Sequence, residues 1–201
     1  MYSVNKELII RSNSDTVDFA LLKDGKLIEL HREREADEGN GFQVGDIFIA
    51  KIRKPVPGLN AAFVHVGFEK DAFLHYHDLG PNLKTLLKFT KLVSGGKLKD
   101  FALENFVFEE EIDKDGAITD VLSANQSLLV QIVKEPISTK GPRISSELSI
   151  AGRYVVLVPF SNRISISQKI ESKEEKDRLK KLVQSIKPKG FGVIVRTGAE
   201  D

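Results

Sequence analysis

Apolar and polar residues alternate in short runs along much of this chain, and turn residues separate the runs. That is the pattern of half-buried strands. Glu7–Arg11 and Thr16–Leu22 read as two strands with a turn over Ser12 to Asp15. Lys23-Asp24-Gly25-Lys26 is an Asp-Gly hairpin turn, and Leu27–His31 is the returning strand. Three strands of this size need something to pack against. Arg32–Gly41, charged and then glycine-bearing, reads as a connector. Ile47–Ile52, Ala61–Val66 and Ala72–His75 follow at even spacing. Pro55, Pro57, Gly58 and Asn60 fill the first gap, and Gly67, Glu69, Lys70 and Asp71 the second. Such spacing predicts a small antiparallel barrel.

The alternation then stops. Over Pro81–Val93, Leu83, Leu86 and Leu87 fall at helical spacing. Phe106–Ile112 and Ala117–Leu122 flank Asp113 to Gly116 and predict a second Asp-Gly hairpin, and Ser127–Val133 reads as a strand returning to the barrel. Gly80–Asn125 is then an elaboration between barrel strands. Further strands are expected near Arg143–Ser149, at Tyr154–Val158 and at Ile164–Ser167, with a turn at Ala151-Gly152. Ser172 and Glu175 fit a capping box. The helix they open carries Leu179, Leu182, Val183 and Ile186 on one stripe and stops at Pro188 and Gly190. Gly192–Arg196 is a last strand, and Thr197-Gly198 begins a turn. The fold class is α+β, mostly β.

Composition changes this picture little. The 201 residues suffice for one or two small domains. The net charge of +1 gives no global basic signal for nucleic acid. Locally, Lys and Arg outnumber Asp and Glu from Lys140 to Arg196, while Glu104–Asp120 is acidic. The acidic run reads as a solvated hairpin, or as a surface for a protein partner. Cysteine is absent, so disulfides, thiol chemistry and cysteine metal sites are excluded, which fits a reducing cytoplasm. Neither a signal peptide nor a membrane-length apolar run is visible.

Candidate chemistry starts with Phe63 and Phe73. Side chains along a strand point alternately to its two faces. On an open barrel face each ring is a platform for an unpaired base; on the other face each is core. Both possibilities stand at this level. His75 and His77 share a strand face, but two ligands without a third do not make a metal site, and they read as surface histidines.

The order Gly45-Asp46, strand, Pro57-Gly58, strand, Gly67, strand, His75 resembles the oligonucleotide-binding barrel named after ribosomal protein S-one. Five blocks extend the resemblance along the chain: ALLKDGKLIELHRERE, PGLNAAFVHVGFEKDAFLH, VQIVKEPISTKGPRISSELSIAGRYVVLVP, ISQKIES and GFGVIVRTGAE. Together they resemble the amino-terminal part of bacterial ribonucleases of the E/G family, closer to the G branch. That resemblance implies an endonuclease that cuts single-stranded RNA and prefers a 5′-monophosphate, with the full-length protein a cytoplasmic homo-oligomer.

It also implies the domain plan. Residues 1–41 would be the first part of an RNase H-like subdomain, 42–135 an inserted oligonucleotide-binding (OB) barrel with its insertion at about 80–125, and 136–201 a 5′-sensor region. By the same resemblance Phe63 and Phe73 stack on RNA, and Lys140 of the Lys-Gly pair reaches RNA beside them. Arg196 and Thr197 sense the terminal phosphate in a pocket lined by Gly152 and Val156. A terminal monophosphate carries more charge than an internal diester, and a guanidinium fork binds two of its oxygens. The family's second phosphate-contacting pair falls on Gln168 and Lys169, where Gln168 replaces an arginine and weakens that clamp. The family's magnesium-binding aspartates belong to a later domain, and these 201 residues show no comparable cluster. The chain is therefore expected to contain no catalytic or metal-ligating residue, and to bind RNA and sense its end without cutting. The alternative is a stand-alone OB-fold RNA-binding module without catalysis; RTGAE and KEPISTKGPR have no role in a generic barrel and favour the first reading.

Overall fold

Residues 5–14, 16–34, 42–137 and 140–200 are described by a computed structural model of the chain. The predicted turn residue Asp15, most of the connector (35–41) and part of the loop before Gly141 (138–139) lie outside the described residues. The chain divides into two compact units, Met1–Gly41 and Phe42–Asp201.

The first unit is the expected meander. Strands β1 (Lys6–Ser12), β2 (Thr16–Lys23) and β3 (Lys26–Arg34) pair antiparallel in that order. Asp24 and Gly25 link β2 to β3 with φ of 49° and 74°. This is the left-handed pair that a two-residue hairpin needs to match the strand twist. Leu8, Ile10, Leu27 and Leu30 remain exposed, as in a sheet without a second layer of its own.

The second unit opens with β4 (Ile47–Val56), β5 (Ala61–His65) and β6 (Ala72–His75). Helix α1 (Leu83–Ser94) and the single turn α2 (Ile118–Val121) precede β7 (Ser127–Lys134) and the three-residue β8 (Arg143–Ser145). The five strands close a barrel in the order β4-β5-β6-β8-β7, with β7 paired back to β4. All neighbours are antiparallel except β6 and β8, which run parallel. This closed five-stranded barrel is consistent with an OB fold. The barrel therefore reaches beyond residue 135, where the sequence reading ended it, because β8 supplies the closing strand. Ile52, Val64, Leu74, Leu128, Val130, Ile132 and Ile144 fill its interior, and Leu83, Leu86, Ile118 and Leu122 pack in the same core.

The segment 106–122 corrects the sequence reading, since no second Asp-Gly hairpin forms. Phe106–Ile112 pairs with no strand, and Ile118–Val121 is helical. Its backbone is satisfied by other groups. The Ile112 amide donates to Pro81 O, and the Glu109 amide to the Thr85 hydroxyl. Asn60 accepts from the Ile118 amide and donates to Gly116 O. Phe106 and Phe108 turn toward Phe89 and Phe160. Acidic Glu109 and Glu111 pair with Lys88 and Arg163.

After the barrel come β9 (Ile150–Ala151), β10 (Val155–Pro159), β11 (Ile164–Ile166), α3 (Lys173–Ile186) and β12 (Phe191–Val195). They form a four-stranded sheet in the order β11-β12-β10-β9, with β11 and β12 parallel through the α3 crossover. Ser172 caps α3 by accepting from the Glu175 amide, while the Glu175 carboxylate pairs with Arg178. Only Leu179 and Val183 of the expected stripe are buried, against Ile170, Val193 and Val195. Leu182 and Ile186 stay exposed: the helix presents one narrow edge to a small sheet.

Candidate nucleic-acid interface

The barrel decides the orientation of both phenylalanines. Ala62, Val64, Ala72 and Leu74 are fully buried, so strand alternation turns Phe63 and Phe73 outward. The two residues are directly paired across β5 and β6. Their rings meet edge to face, with centroids 6.1 Å apart and planes at 68°. Phe63 is 38% exposed; Phe73 is half-buried.

A cleft beside these rings is lined by Lys70, Asp71, Lys140, Gly141 and Arg143. Two backbone bonds shape the loop carrying Lys140: its amide donates to Ile137 O at 2.9 Å, and the Phe73 amide donates to Pro142 O at 3.0 Å. Gly141 is what lets the loop lie so close. A Cβ there would sit 2.2 Å from the Asp71 carbonyl oxygen, so the Lys-Gly pair brings a cation to the rim because only glycine fits beside it. Gly141→Ala is expected to cost about 1–3 kcal/mol through overpacking, read as a lower urea midpoint with an unchanged slope. An unchanged midpoint would mean that the loop yields freely.

Sequence reasoning missed Arg143 and Asp78. Arg143 stands opposite Phe73 in the parallel β6–β8 register. Its Nε and Nη2 donate to the two Asp78 carboxylate oxygens at 3.0 and 2.8 Å. The hydrogen bonds that Arg143 donates to Asp78, more than the carboxylate's charge, push the guanidinium further up from its ordinary value. The fork is thus held rigid beside the aromatic pair. The signal was thin, an arginine two places after the Lys-Gly pair and an aspartate 65 positions away. On the other side, exposed Lys51 and Lys54 of β4 pair with His65 and Phe63. Arg53 and His65 lie 3.5 and 3.6 Å from the Asp71 carboxylate. The rings are therefore rimmed mainly by cations.

The remaining candidate residues gather on the other sheet. Arg196 follows β12, and its amide donates to Tyr154 O at 2.8 Å. Its guanidinium Nη1 donates to the Gly152 carbonyl at 2.7 Å. The Gly152 amide in turn donates to Val155 O, and Val156 pairs with Ile194 and Ala151. Arg196, Gly152 and Val156 are thus brought together by β12 and the β9–β10 turn. Thr197 opens an exposed 3-10 turn over Thr197–Ala199. Gln168 and Lys169 are exposed after Ser167, whose amide donates to Val195 O. One guanidinium nitrogen is spent on anchoring Arg196, and the rest of an exposed cation is left for a ligand.

Among the described residues, no group of three or more His, Cys, Asp or Glu side chains converges to hold a metal ion. No helix among them is long and apolar enough to cross a membrane.

Comparison with known proteins adds family likeness. Residues 149–201, the sheet after the barrel, match a family model described as Ribonuclease E/G family. Over 194 residues the chain is 34% identical to Ribonuclease G of Escherichia coli (strain K12) and to Ribonuclease G of Salmonella typhimurium (strain SL1344). Each match covers 96% of this chain and 35% of the relative. Over 159 residues it is 38% identical to Ribonuclease E of Nostoc sp., covering 79% of this chain and 19% of that protein. The chain thus spans about a third of the length of the ribonuclease G proteins it matches.

Proposed function

Because this chain belongs to the ribonuclease E/G family, we propose that it is the RNA-holding and 5′-monophosphate-sensing part of a longer, single-strand-specific endoribonuclease that processes RNA. In this reading Met1–Gly41 contributes to an RNase H-like subdomain, the closed barrel is an OB-fold RNA platform, and the β9–β12 sheet is the 5′ sensor. The observation that carries it is the outward pair Phe63 and Phe73 with Lys140 and Arg143 at its edge. Bases stack on such rings for about 1–3 kcal/mol each without regard to sequence. The surrounding cations meet phosphates and make binding fall with salt.

The Arg196 site reads the end of the strand. A 5′-monophosphate offers a dianionic group to a guanidinium that the Gly152 carbonyl already orients, with the Thr197 hydroxyl and Lys169 within the same region. Metal-assisted hydrolysis requires clustered carboxylates. The parent protein's magnesium-dependent step is therefore assigned to residues outside these 201, and the chain alone binds without cutting.

The test is fluorescence anisotropy with matched 5′-phosphorylated and 5′-hydroxyl oligoribonucleotides at several salt concentrations. Wild type should prefer the phosphorylated end. Arg196→Ala should abolish that preference, a loss of about 1.5–3 kcal/mol for hydrogen bonds to a charged group, while binding of the hydroxyl end persists. Equal loss at both ends would reduce Arg196 to a general electrostatic contact and overturn the sensing role.

A further inference from the structure

Helix α1 takes no part in the aromatic interface, yet its last turns and the start of β7 enclose a second cleft. Leu87, Lys91 and Ser94 line it from the helix, and Gln126 and Ser127 from the strand side. Lys88 also borders it, but its ammonium donates to the Glu109 carboxylate and the Val107 carbonyl and lies over the Phe106 ring. Lys91 is exposed and makes no ion pair among the described residues. No carboxylate among them lines the cleft. A bare helix C-terminus would disfavour an anion through its open carbonyls. Here the Lys91, Leu92 and Val93 carbonyls accept from the Gly95, Lys97 and Gly96 amides, because Gly96, at φ 62°, turns the chain back over the helix end. What the cleft offers is one ammonium and two hydroxyls beside an apolar wall, a donor set that suits phosphate oxygens.

Strand register joins this cleft to the rings. Ser127 is directly paired with Lys51 across β7 and β4, and Lys51 with His65 across β4 and β5. His65 is two residues from Phe63 and shares its face. The line from the rings to the cleft therefore crosses two strand spacings, about 10 Å, with Lys51 midway and Lys91 at its end. We propose that the cleft binds a backbone phosphate of an RNA strand whose bases stack on Phe63 and Phe73, with Lys91 as the cation and the Ser94 and Ser127 hydroxyls as donors. The proposal rests on the RNA-binding reading above. It gives the strand a path, over β4 toward α1, and gives the elaboration at 80–125 a role as the far wall of that path.

The experiment uses the whole chain with short and long oligouridylates, of about three and about ten nucleotides, within and beyond the smallest barrel sites. For the long oligomer, Lys91→Ala should lower affinity about three- to tenfold and flatten the plot of log affinity against log salt by about 0.7, the share of one phosphate on a single strand. The short oligomer, held at the rings alone, should bind Lys91→Ala as it binds wild type. Lys91→Arg should keep the long-oligomer affinity. Lys84→Ala removes the same charge from α1 about 10 Å along the helix axis and should change neither affinity nor slope. Inorganic phosphate should compete with the long oligomer on wild type and lose that effect in Lys91→Ala. Equal loss in Lys84→Ala, loss on the short oligomer, or an unchanged long-oligomer affinity in Lys91→Ala would each overturn the proposal. So would phosphate that shifts the Ser127 amide resonance without displacing RNA, which would mark a site for a free small anion. Failure of the parent reading looks different: Phe63→Ala would then leave binding unchanged at both lengths.

Discussion

Removing both rings in Phe63→Ala/Phe73→Ala should lower affinity for single-stranded RNA by roughly 2–6 kcal/mol, from about 1–3 kcal/mol per stacked base. The loss should be the same for phosphorylated and hydroxyl ends, because the rings sit on the barrel and Arg196 on the other sheet. Stability should suffer far less. The neighbours that fill the interior, Val64 and Leu74, are untouched and fully buried, and the edge-to-face contact itself is worth about 0.5–1.5 kcal/mol. Anisotropy titration beside urea unfolding separates the two effects. A collapse of stability with affinity unchanged would make the rings structural and remove the basis of the RNA platform.

Ile144→Ala should act the other way round, on stability first. Ile144 is fully buried and occupies the centre of the three-residue strand that joins β7 to β6. Truncating a buried isoleucine costs about 2–5 kcal/mol, and the cavity here opens where the barrel closes. Because Arg143 precedes it on the same strand, RNA affinity should fall along with the urea midpoint. A change below about 1 kcal/mol would mean that neighbouring side chains collapse into the space.

Which parts of this were readable from the chain follows from how far apart the partners are. The Asp24-Gly25 turn, the alternation of Ala62-Phe63-Val64 and the Ser172 cap are local, and local chemistry determined them. The alternation over Phe106 to Phe108 was also real: Val107 is exposed and its neighbours are half-buried. Alternation reports which side faces the core, however, not whether a second strand is there to pair, and α1 took that place. β8 is too short to show any period, and its partners come from the Ala72–His75 and Ser127–Lys134 strands. The Arg143–Asp78 pair bridges 65 positions and carries no local trace.

The short closing strand has one more consequence. A cylinder fastened along a single brief seam admits solvent there before anywhere else, and here the outer edge of that seam is the face proposed to hold RNA. A nucleic-acid strand lying across Phe73 and Arg143 would act as a latch over it, so that the empty barrel breathes more than the occupied one.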